Sequence, residues 1–408
     1  MATLAIHGGK PLRERPYPAW PVAGPRELAL LQEVLASDQW GGYNELVARF
    51  EQLFASLHNC DHGVAVANGS VAIEVALQAA GIVAGDEVIV PAHSFVATAS
   101  AVSRVGGVPV FADILPDTYN LDYRKIAAAA SAKTKTKAVI VVHFGGVLAD
   151  MDRILDITDK KKLLVLEDAA HAHGGEWHGQ RAGSLGLAGT FSFQNSKPMT
   201  AGEGGILITN DEVLAERARS LVNCGRRKGH GWFEHFELAS NYRLSGFQAA
   251  VLLAQLERLA EQVRHREQNL KVFLENLTAP GLFFQITPQG ANVQTLYLLV
   301  GRVDEDVFGI GRDEFVAALE AEGIPCRRFY PHPLYANPMF RELPHRVEPC
   351  PVAERACKDS FWLPQRVLMG SEEDTLDIAR AIAKIYEVVK PTSKRSAAKR
   401  VNGPTSGA

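Results

Sequence analysis

An alternation between short apolar, β-rich runs and helical segments constrains the fold of this chain more than any other feature. The runs are EVIVP at 87–91, VPVF at 108–111, AVIVVH at 138–143 and LLVLED at 163–168. Strands that alternate with helices favour a mostly parallel sheet that is covered by helices on both faces. The sequence therefore predicts a large α/β domain.

A second, smaller domain is predicted after a long amphipathic helix. Apolar residues recur at helical spacing at Leu252, Leu256, Leu259 and Val263. This spacing predicts a connecting helix that leads out of the large domain. The runs TLYLLV at 295–300 and RDEFVAALEAEG at 312–323 then predict a strand and a helix of a small C-terminal α+β domain.

The predicted organisation has four parts. Residues 1–245 form an N-terminal segment and the large domain, residues 246–278 the connecting helix, residues 279–390 the small domain, and residues 391–408 a tail. The tail is polar and basic and has no periodicity, which predicts disorder.

Composition and charge argue against several classes of partner. The 408 residues are 47% hydrophobic and carry a formal net charge of −3, so no nucleic-acid or membrane partner is expected. The N-terminus has no continuous apolar segment, and no apolar run reaches the roughly 18 residues of a membrane span. The five cysteines are scattered, which favours a reducing compartment. We therefore expect a soluble cytoplasmic protein that binds small molecules.

The chemistry is expected at Asp168 and Lys197, in the stretches EDAAHAHG and GTFSFQNSKPMTAGEGG. Asp168 ends an apolar strand, where open α/β sheets place their ligand crevices. Lys197 lies in a small, polar turn between two apolar strands, where desolvation would lower its pKa and leave a nucleophilic amine. A pyridoxal cofactor requires a lysine for its imine and an acid beside its pyridine nitrogen. On the residues alone, a structural lysine and a structural aspartate explain the pair equally well.

A phosphate anchor is predicted at Asn68-Gly69-Ser70, before the helix SVAIEVALQAA at 70–80. Ser70 is the expected N-cap, and backbone N–H groups and the Ser70 hydroxyl could hold phosphate oxygens at this positive helix end. A plain N-cap is the more frequent explanation of such a motif. Ser192 could add a hydroxyl, or could bond only to the backbone.

Aromatic and histidine side chains also lie near this site in the sequence. Phe95 could cover one face of a flat cofactor ring, although a lone Phe at a strand–helix junction is more often part of the core. His171 is expected near the ring edge and His173 in a structural role. With no third His or Cys nearby, the pair does not predict a metal site.

Several ordered motifs resemble the sugar-aminotransferase family known as DegT/StrS. The resemblance covers nearly the whole chain through IHGGKPLR, WPVAG, GSVAIEVAL, PAHSFVATAS, EDAAHAHG, SFQNSKPMTAGEGG, NYRLSGFQAA and RRFYPHPLY. It implies the aspartate-aminotransferase-like fold, fold type I of enzymes that use pyridoxal 5'-phosphate.

The resemblance also implies roles for individual residues. Lys197 is the imine-forming lysine, Asp168 the partner of the pyridine nitrogen and Phe95 the stacking aromatic. The phosphate group is expected to bind to Gly69, Ser70 and Ser192. Asn241, from the NYR motif, reaches the phosphate that the neighbouring subunit binds, so a homodimer with shared sites is implied.

Gln194 departs from the pattern, because many members have His at this position. Glutamine cannot act as an acid or base, so it can only hydrogen-bond the cofactor or a substrate. The glutamine form resembles the branch that contains scyllo-inosose aminotransferases and 3-amino-5-hydroxybenzoate synthases. Lys197 favours transamination over dehydration, since the related dehydratases carry His in its place.

Candidate substrate residues lie in loops. Tyr43, Asn44, His332 and Tyr335 could bind polyol hydroxyls, and Arg243 a donor carboxylate. Surface positions or an ion pair are the alternatives. The predicted activity moves an amino group from L-glutamine or L-glutamate to a keto-sugar or keto-cyclitol. The alternatives are an aromatising enzyme of the aminohydroxybenzoate type and a non-catalytic, cofactor-binding regulator.

Overall fold

A computed structural model of the chain describes residues 3–130 and 135–391. The α-helices are α1 (Pro25–Ala36), α2 (Glu45–Leu57), α3 (Gly69–Ala79), α4 (Ala97–Arg104), α5 (Tyr123–Ala129), α6 (Met151–Lys161), α7 (Glu212–Val222), α8 (Gly246–Asn276), α9 (Glu305–Phe308), α10 (Arg312–Ala321), α11 (Pro351–Asp359) and α12 (Glu372–Val389). The strands are β1 (His62–Val66), β2 (Glu87–Pro91), β3 (Val108–Ala112), β4 (Thr136–Val142), β5 (Leu164–Asp168), β6 (Glu176–Trp177), β7 (Gln180–Arg181), β8 (Ala188–Ser192), β9 (Gly205–Thr209), β10 (Leu282–Phe284), β11 (Ala291–Val293), β12 (Leu298–Val303), β13 (Arg327–Arg328), β14 (Arg346–Val347) and β15 (Ser360–Pro364). Short 3₁₀ helices occur at Ala5–His7, Phe144–Gly146, Leu334–Ala336, Pro338–Arg341 and Gln365–Leu368. The tail predicted as disordered falls, from residue 392 on, outside the described residues.

The large sheet has the order β1-β9-β8-β5-β4-β2-β3-β14. The pairs from β8 to β14 are parallel, while β9 pairs antiparallel with both β8 and β1. The four strands predicted from apolar runs, β2 to β5, lie side by side in this sheet. They are buried almost throughout, as is usual where helices cover both faces. Two hydrophobic cores flank this sheet, so its ends are the places where polar side chains can act.

The helix predicted at 70–80 begins one residue earlier, and its cap is not the predicted one. Asn68 is the N-cap, because its side-chain oxygen accepts a hydrogen bond from Val71 N at 3.0 Å. The prediction of Ser70 as the cap is therefore wrong. Ser70 lies in the first turn of α3, which leaves its hydroxyl out of the capping interaction.

The connecting helix is α8, which runs from Gly246 to Asn276. It begins with a capping box between Ser245 and Gln248, which explains the sharp start of the helix. Beyond it, β10-β12-β15-β13 form an antiparallel sheet. The division of the chain at residue 279 remains a prediction.

A segment from each side of that predicted division packs into the domain on the other side. β14 adds a parallel strand to the edge of the large sheet beside β3. Leu4 and Tyr17 pack in the core of the C-terminal sheet, and Ala5 N donates to the Glu322 carboxylate at 2.9 Å. The two predicted domains therefore exchange segments rather than meeting only through α8.

The strand predicted at 295–300 begins and ends three residues later than expected. β12 begins at Leu298, because Leu296 adopts a left-handed backbone conformation with φ of 56°. A left-handed residue cannot continue a strand. Tyr297 therefore lies in the turn before β12, where it faces a cavity.

Among the described residues, no helix is both long and apolar enough to cross a membrane.

Candidate active site

A cavity of about 740 Å³ opens at the carboxyl ends of β5 and β8. The lining contains eight residues that were predicted from the sequence to hold the cofactor: Gly69, Ser70, Phe95, Asp168, His171, Ser192, Gln194 and Lys197. The position matches the general rule that open α/β sheets bind ligands at the carboxyl ends of their strands.

Lys197 lies in the turn between β8 and β9 and is buried. Its backbone is held on two sides, since its N–H donates to Gln194 O at 2.9 Å and its carbonyl accepts from Trp20 Nε1 at 3.1 Å. The side-chain amine lies 4.3 Å from the centre of the Tyr297 ring. Burial lowers the pKa of Lys197 to about 8, and the nearby Asp168 charge opposes that shift. A neutral amine is therefore accessible near physiological pH.

Asp168 is the last residue of β5 and lines the same cavity. One carboxylate oxygen accepts from the Thr98 hydroxyl at 2.7 Å, and the other accepts from Ala170 N at 3.3 Å. Ser94 Oγ lies 2.9 Å from the Thr98 hydroxyl. Burial raises the pKa of the Asp168 carboxyl, whereas these hydrogen bonds and the Lys197 charge lower it. A cation beside this carboxyl would favour its ionised form.

The N-terminus of α3 meets the end of β8 at the other side of the cavity. A Cβ added to Gly69 would lie 2.6 Å from the Ser192 Cβ, so only glycine permits this close approach. The first N–H groups of a helix have no carbonyl partner inside the helix. Since Asn68 takes up Val71 N, the N–H groups of Gly69 and Ser70 remain to face an anion, together with the hydroxyls of Ser70 and Ser192.

His171 and His173 have different surroundings. His171 lies against the Tyr297 ring, with 4.5 Å between the ring centres, and its Nδ1 accepts from Gly145 N at 3.2 Å. Its proton is therefore on Nε2. His173 is fully buried away from the cavity lining, and its Nε2 lies 3.0 Å from Ser192 O, which suits the structural role expected for it.

These parts fit pyridoxal phosphate. One cavity contains three features that the cofactor requires. They are the desolvated amine of Lys197, the carboxyl of Asp168, whose ionised form a neighbouring cation would stabilise, and the start of α3, where Gly69 allows N–H and hydroxyl donors to face the cavity. Phe95 also lines it, and 53% of this residue is exposed, which leaves its ring accessible to a flat ligand. These assignments remain predictions.

Six predicted residues do not line this cavity. Asn44 is the N-cap of α2, buried, with its amide nitrogen bonded to Ser37 and Gln39. Tyr43 and Arg243 both donate to Asn223 Oδ1, each at 2.7 Å. These three predicted substrate residues therefore form hydrogen bonds to other residues of the same chain.

The remaining three also have partners in their own chain. His332 Nε2 lies 3.2 Å from Asn337 Oδ1, and the Tyr335 hydroxyl donates to Glu354 at 2.8 Å. Asn241 pairs through its backbone with Asn223. Their roles toward substrate or cofactor stay predictions.

Sequence reasoning missed Thr98, Ser196, Tyr297 and Tyr330. Ser196, Tyr297 and Tyr330 line the cavity, and Thr98 lies behind Asp168. Tyr330 belongs to the quoted RRFYPHPLY motif, which was a signal for it. Tyr297 carried none, because its neighbours in TLYLLV have the composition of a buried strand.

Comparisons with known proteins point the same way as the geometry. A model of the DegT/DnrJ/EryC1/StrS aminotransferase family matches residues 21–383. An L-glutamine:2-deoxy-scyllo-inosose aminotransferase of Streptomyces paromomycinus is 38% identical over 94% of this chain and 97% of its own length. A protein of the same name from Micromonospora echinospora is 36% identical over 95% of this chain and 98% of its own length.

Solved structures agree at the level of the whole fold. The crystal structure of 3-amino-5-hydroxybenzoic acid synthase matches with a TM-score of 0.86 and 35% identity, covering 93% of this chain and 100% of that one.

Proposed function

The chain belongs to the DegT/DnrJ/EryC1/StrS aminotransferase family, and from this premise we propose that it transfers the amino group of L-glutamine to the ketone of a keto-cyclitol, with pyridoxal 5'-phosphate as cofactor. The observation that carries the proposal is the presence of the Lys197 amine and the Asp168 carboxyl in one cavity. Two predictions are confirmed: the resemblance to this family, which was inferred from the motifs, and the fold class, which is an α/β fold of type I.

The cavity offers a place for each part of the cofactor. Lys197 would hold it covalently through Nζ, and Asp168 would lie beside its ring nitrogen. The phosphate would bind at the start of α3, to Gly69, Ser70 and Ser192. When bound, pyridoxal phosphate supplies a protonated ring that draws electrons away from the carbon that carries the amino group.

Lys197 is also the proposed proton carrier. With a pKa near 8, its amine exists partly unprotonated at neutral pH and can take the proton from the α-carbon of the donor. The Tyr297 ring, 4.3 Å from Nζ, then stabilises the resulting ammonium group. The reverse transfers serve the second substrate, so donor and acceptor use one site in turn and ping-pong kinetics follow.

The acceptor is proposed from the relatives and from the cavity wall. The relatives described above are named for L-glutamine and 2-deoxy-scyllo-inosose. The wall of this cavity carries the hydroxyls of Ser94, Ser100, Ser196 and Tyr330 and the amide of Gln194. The charged side chains of Glu74, Arg104 and Glu203 also line the cavity, and the neutral groups beside them could bind the hydroxyls of a polyol ketone.

A homodimer is part of the proposal. Asn241 is implied at the phosphate by the resemblance, yet it does not line the cavity of its own chain. Nearby, the apolar side chains of Trp232, Phe233 and Leu238 are exposed, with Phe233 86% exposed and Leu238 fully exposed. A second copy that covers this segment would bury these side chains and bring Asn241 to the partner's cofactor.

The test separates the two half-reactions. L-Glutamine is added to the cofactor-loaded protein and the aldehyde absorbance band is followed while the released oxo acid is measured. L-Glutamate is tested in parallel. 2-Deoxy-scyllo-inosose is then added to the amino form, and we expect the band to return with formation of the cyclitol amine.

Two outcomes would replace the proposal. A binding regulator would show the absorbance band and release no oxo acid from either amino acid. An aromatising enzyme, which the likeness to 3-amino-5-hydroxybenzoic acid synthase makes the specific rival, would convert a cyclohexenone precursor to an aromatic product and leave the keto-cyclitol unchanged.

A further inference from the structure

The orientation of the Gln194 side chain is determined by Ser196. The Ser196 backbone N–H donates to Gln194 Oε1 at 2.9 Å, and the Ser196 hydroxyl donates to the same oxygen at 2.7 Å. A backbone N–H can only donate, so the facing atom must be the amide oxygen. A flipped amide would place its NH₂ group against that N–H, which costs the hydrogen bond.

The hydrogen bond between Ser196 and Tyr297 also has a defined donor. The Ser196 hydroxyl lies 2.7 Å from the Tyr297 hydroxyl. Since the single Ser196 proton is used toward Gln194, the phenol must be the donor. Burial raises the pKa of Tyr297, so the phenol keeps its proton. The order of donation is therefore Tyr297 to Ser196 to Gln194.

A buried glutamine, Gln365, holds Tyr297 and Ser196, the first two members of this series of hydrogen bonds. Gln365 is 3% exposed, its backbone N–H donates to Tyr297 O at 3.2 Å, and its side-chain amide donates to Ser196 O at 2.9 Å. Arg266, which is fully buried, donates to the Gln365 side-chain oxygen at 3.0 Å. Tyr297 and Ser196 are thus held at fixed positions by the core, and they hold the amide of Gln194.

The consequence is that the two N–H groups of the exposed Gln194 amide have a defined direction and no hydrogen-bond partner among the described residues. Gln194 lines the cavity, and its Nε2 makes no hydrogen bond within residues 3–130 and 135–391. Its oxygen is already saturated by two donors. Gln194 can therefore present only donors to a ligand, and the ligand atom that it meets must be an acceptor.

We propose that Gln194 is a specificity-determining residue, which donates from Nε2 to a ring hydroxyl oxygen of the ketone acceptor, and that Ser196 and Tyr297 are its positioning residues. This inference rests on the proposed function. The donor's carboxylate would call for a charged partner, because carboxylates are bound most strongly by ionised donors such as arginine. A neutral donor-only amide matches a neutral hydroxyl oxygen.

The experiment compares three quantities in the wild-type protein and its variants, which are loaded with cofactor for the two kinetic measurements. These are kcat/KM for 2-deoxy-scyllo-inosose, kcat/KM for L-glutamine, and the dissociation constant of pyridoxal phosphate measured on the cofactor-free protein. In ping-pong kinetics each kcat/KM reports its own half-reaction, so the two substrates are resolved. Gln194→Met keeps length and volume and removes the amide.

For Gln194→Met we expect kcat/KM for the ketone to fall on the order of tenfold, with kcat/KM for glutamine and the cofactor dissociation constant unchanged. Ser196→Ala and Tyr297→Phe should lower kcat/KM for the ketone by a smaller factor, since the amide then loses only part of its alignment. The matched control is Asn195→Leu, an exposed amide of the same turn that does not line the cavity, and it should change none of the three.

The inference is overturned if Gln194→Met leaves kcat/KM for the ketone unchanged. It is also overturned if both kcat/KM values fall equally or if the cofactor dissociation constant rises, because Gln194 would then serve the cofactor or the turn. A wild-type protein that processes glutamine yet aminates no cyclitol ketone overturns the proposed function instead, and this inference with it.

Discussion

Glu167 and Asp168 are consecutive carboxylates at the end of β5, and they point to opposite faces of the sheet. Glu167 accepts from the backbone N–H groups of Gly183, Leu185 and Gly186 at 2.7–2.8 Å, and lies 2.9 Å from His143 Nε2. Asp168 accepts from one hydroxyl and one backbone N–H and lines the cavity. The first carboxylate is saturated, and the second has capacity left for a ligand.

Two buried cations repeat this contrast. Arg266 is fully buried and donates to Thr295 O at 2.8 Å and to Gln365 Oε1 at 3.0 Å, while its Nη2 has no partner among the described residues. Lys197 is buried as well, yet its Nζ makes no hydrogen bond to the described residues and faces the Tyr297 ring. Burial lowers the pKa of both, to about 9 for Arg266 and to about 8 for Lys197.

Burial and a shifted pKa therefore do not separate structural from functional groups in this chain. The hydrogen-bond partners do. A buried charge that is hydrogen-bonded to the protein and faces no cavity holds the fold, whereas one that opens into a cavity with few or no such bonds is available for chemistry. We call the first kind saturated and the second kind open, and each prediction below tests that distinction.

The largest effect is expected for the open cation. Lys197→Met should lower turnover by about 10³-fold or more, because it removes a residue that is proposed both to attach the cofactor covalently and to carry the proton. The free energy of unfolding of the cofactor-free protein should not fall, since the amine makes no hydrogen bond that is lost. Turnover with L-glutamine and equilibrium urea unfolding measure the two quantities.

Arg266→Met is the matched control for that variant. It leaves the Thr295 carbonyl and the Gln365 oxygen without their donor, and it should therefore lower the free energy of unfolding. If Lys197→Met were the less stable of the two proteins, the distinction between open and saturated cations would fail.

Glu167→Gln should destabilise the fold by about 3 kcal/mol, because an amide NH₂ would replace an oxygen that accepts from backbone N–H groups in a fully buried site. The thermal midpoint and urea unfolding of the variant measure this loss. A stability equal to that of the wild type would mean that saturation does not mark a structural carboxylate.

Asp168→Asn is the counterpart on the open face. Turnover should fall roughly a hundredfold, or about 2.7 kcal/mol, because a neutral amide cannot stabilise a protonated ring nitrogen. Unfolding free energy should stay close to the wild-type value, since burial already disfavours the charged carboxyl. A large loss of stability with turnover retained would reverse the roles given to Asp168 and Glu167.

The same contrast explains how much could be predicted from the sequence. The strands of the central sheet, the connecting helix and the pair Asp168 and Lys197 were all indicated by apolar runs, periodicity and motifs, because each of these signals is local. The roles of Glu167 and Arg266 were not, since their partners lie up to 99 residues away. No local pattern records which buried charge is saturated.

Errors in the prediction also had local causes. Ser70 was predicted as the cap of α3 because serine and asparagine both favour that position, and only the Asn68–Val71 hydrogen bond decides between them. Tyr297 was hidden in an apolar run whose left-handed Leu296 could not be read from composition. A non-glycine residue with positive φ is uncommon, so a strand was the natural expectation there.

The smallest effect, measured per pH unit, concerns the pH dependence of stability in the cofactor-free protein. The folded pKa of Lys197, about 8, lies below the usual value of 10.5, so between these pH values the unfolded chain carries a proton that the folded chain has lost. The free energy of unfolding should therefore rise with pH across this window, by at most about 1.4 kcal/mol per pH unit. Below pH 8 this lysine should contribute no pH dependence, because its ammonium group is then protonated in both states and destabilises the folded state by a constant amount. Lys197→Met lacks the titrating group, so the difference between wild type and variant, measured by urea unfolding at several pH values from 7 to 10.5, isolates the contribution of that group.

Lys197→Met should be the more stable protein at pH 7, and its advantage in unfolding free energy should shrink as the pH rises. An advantage that stays constant with pH would place the Lys197 amine in solvent-like surroundings, and the open cation would then lose the desolvation on which its proposed reactivity depends.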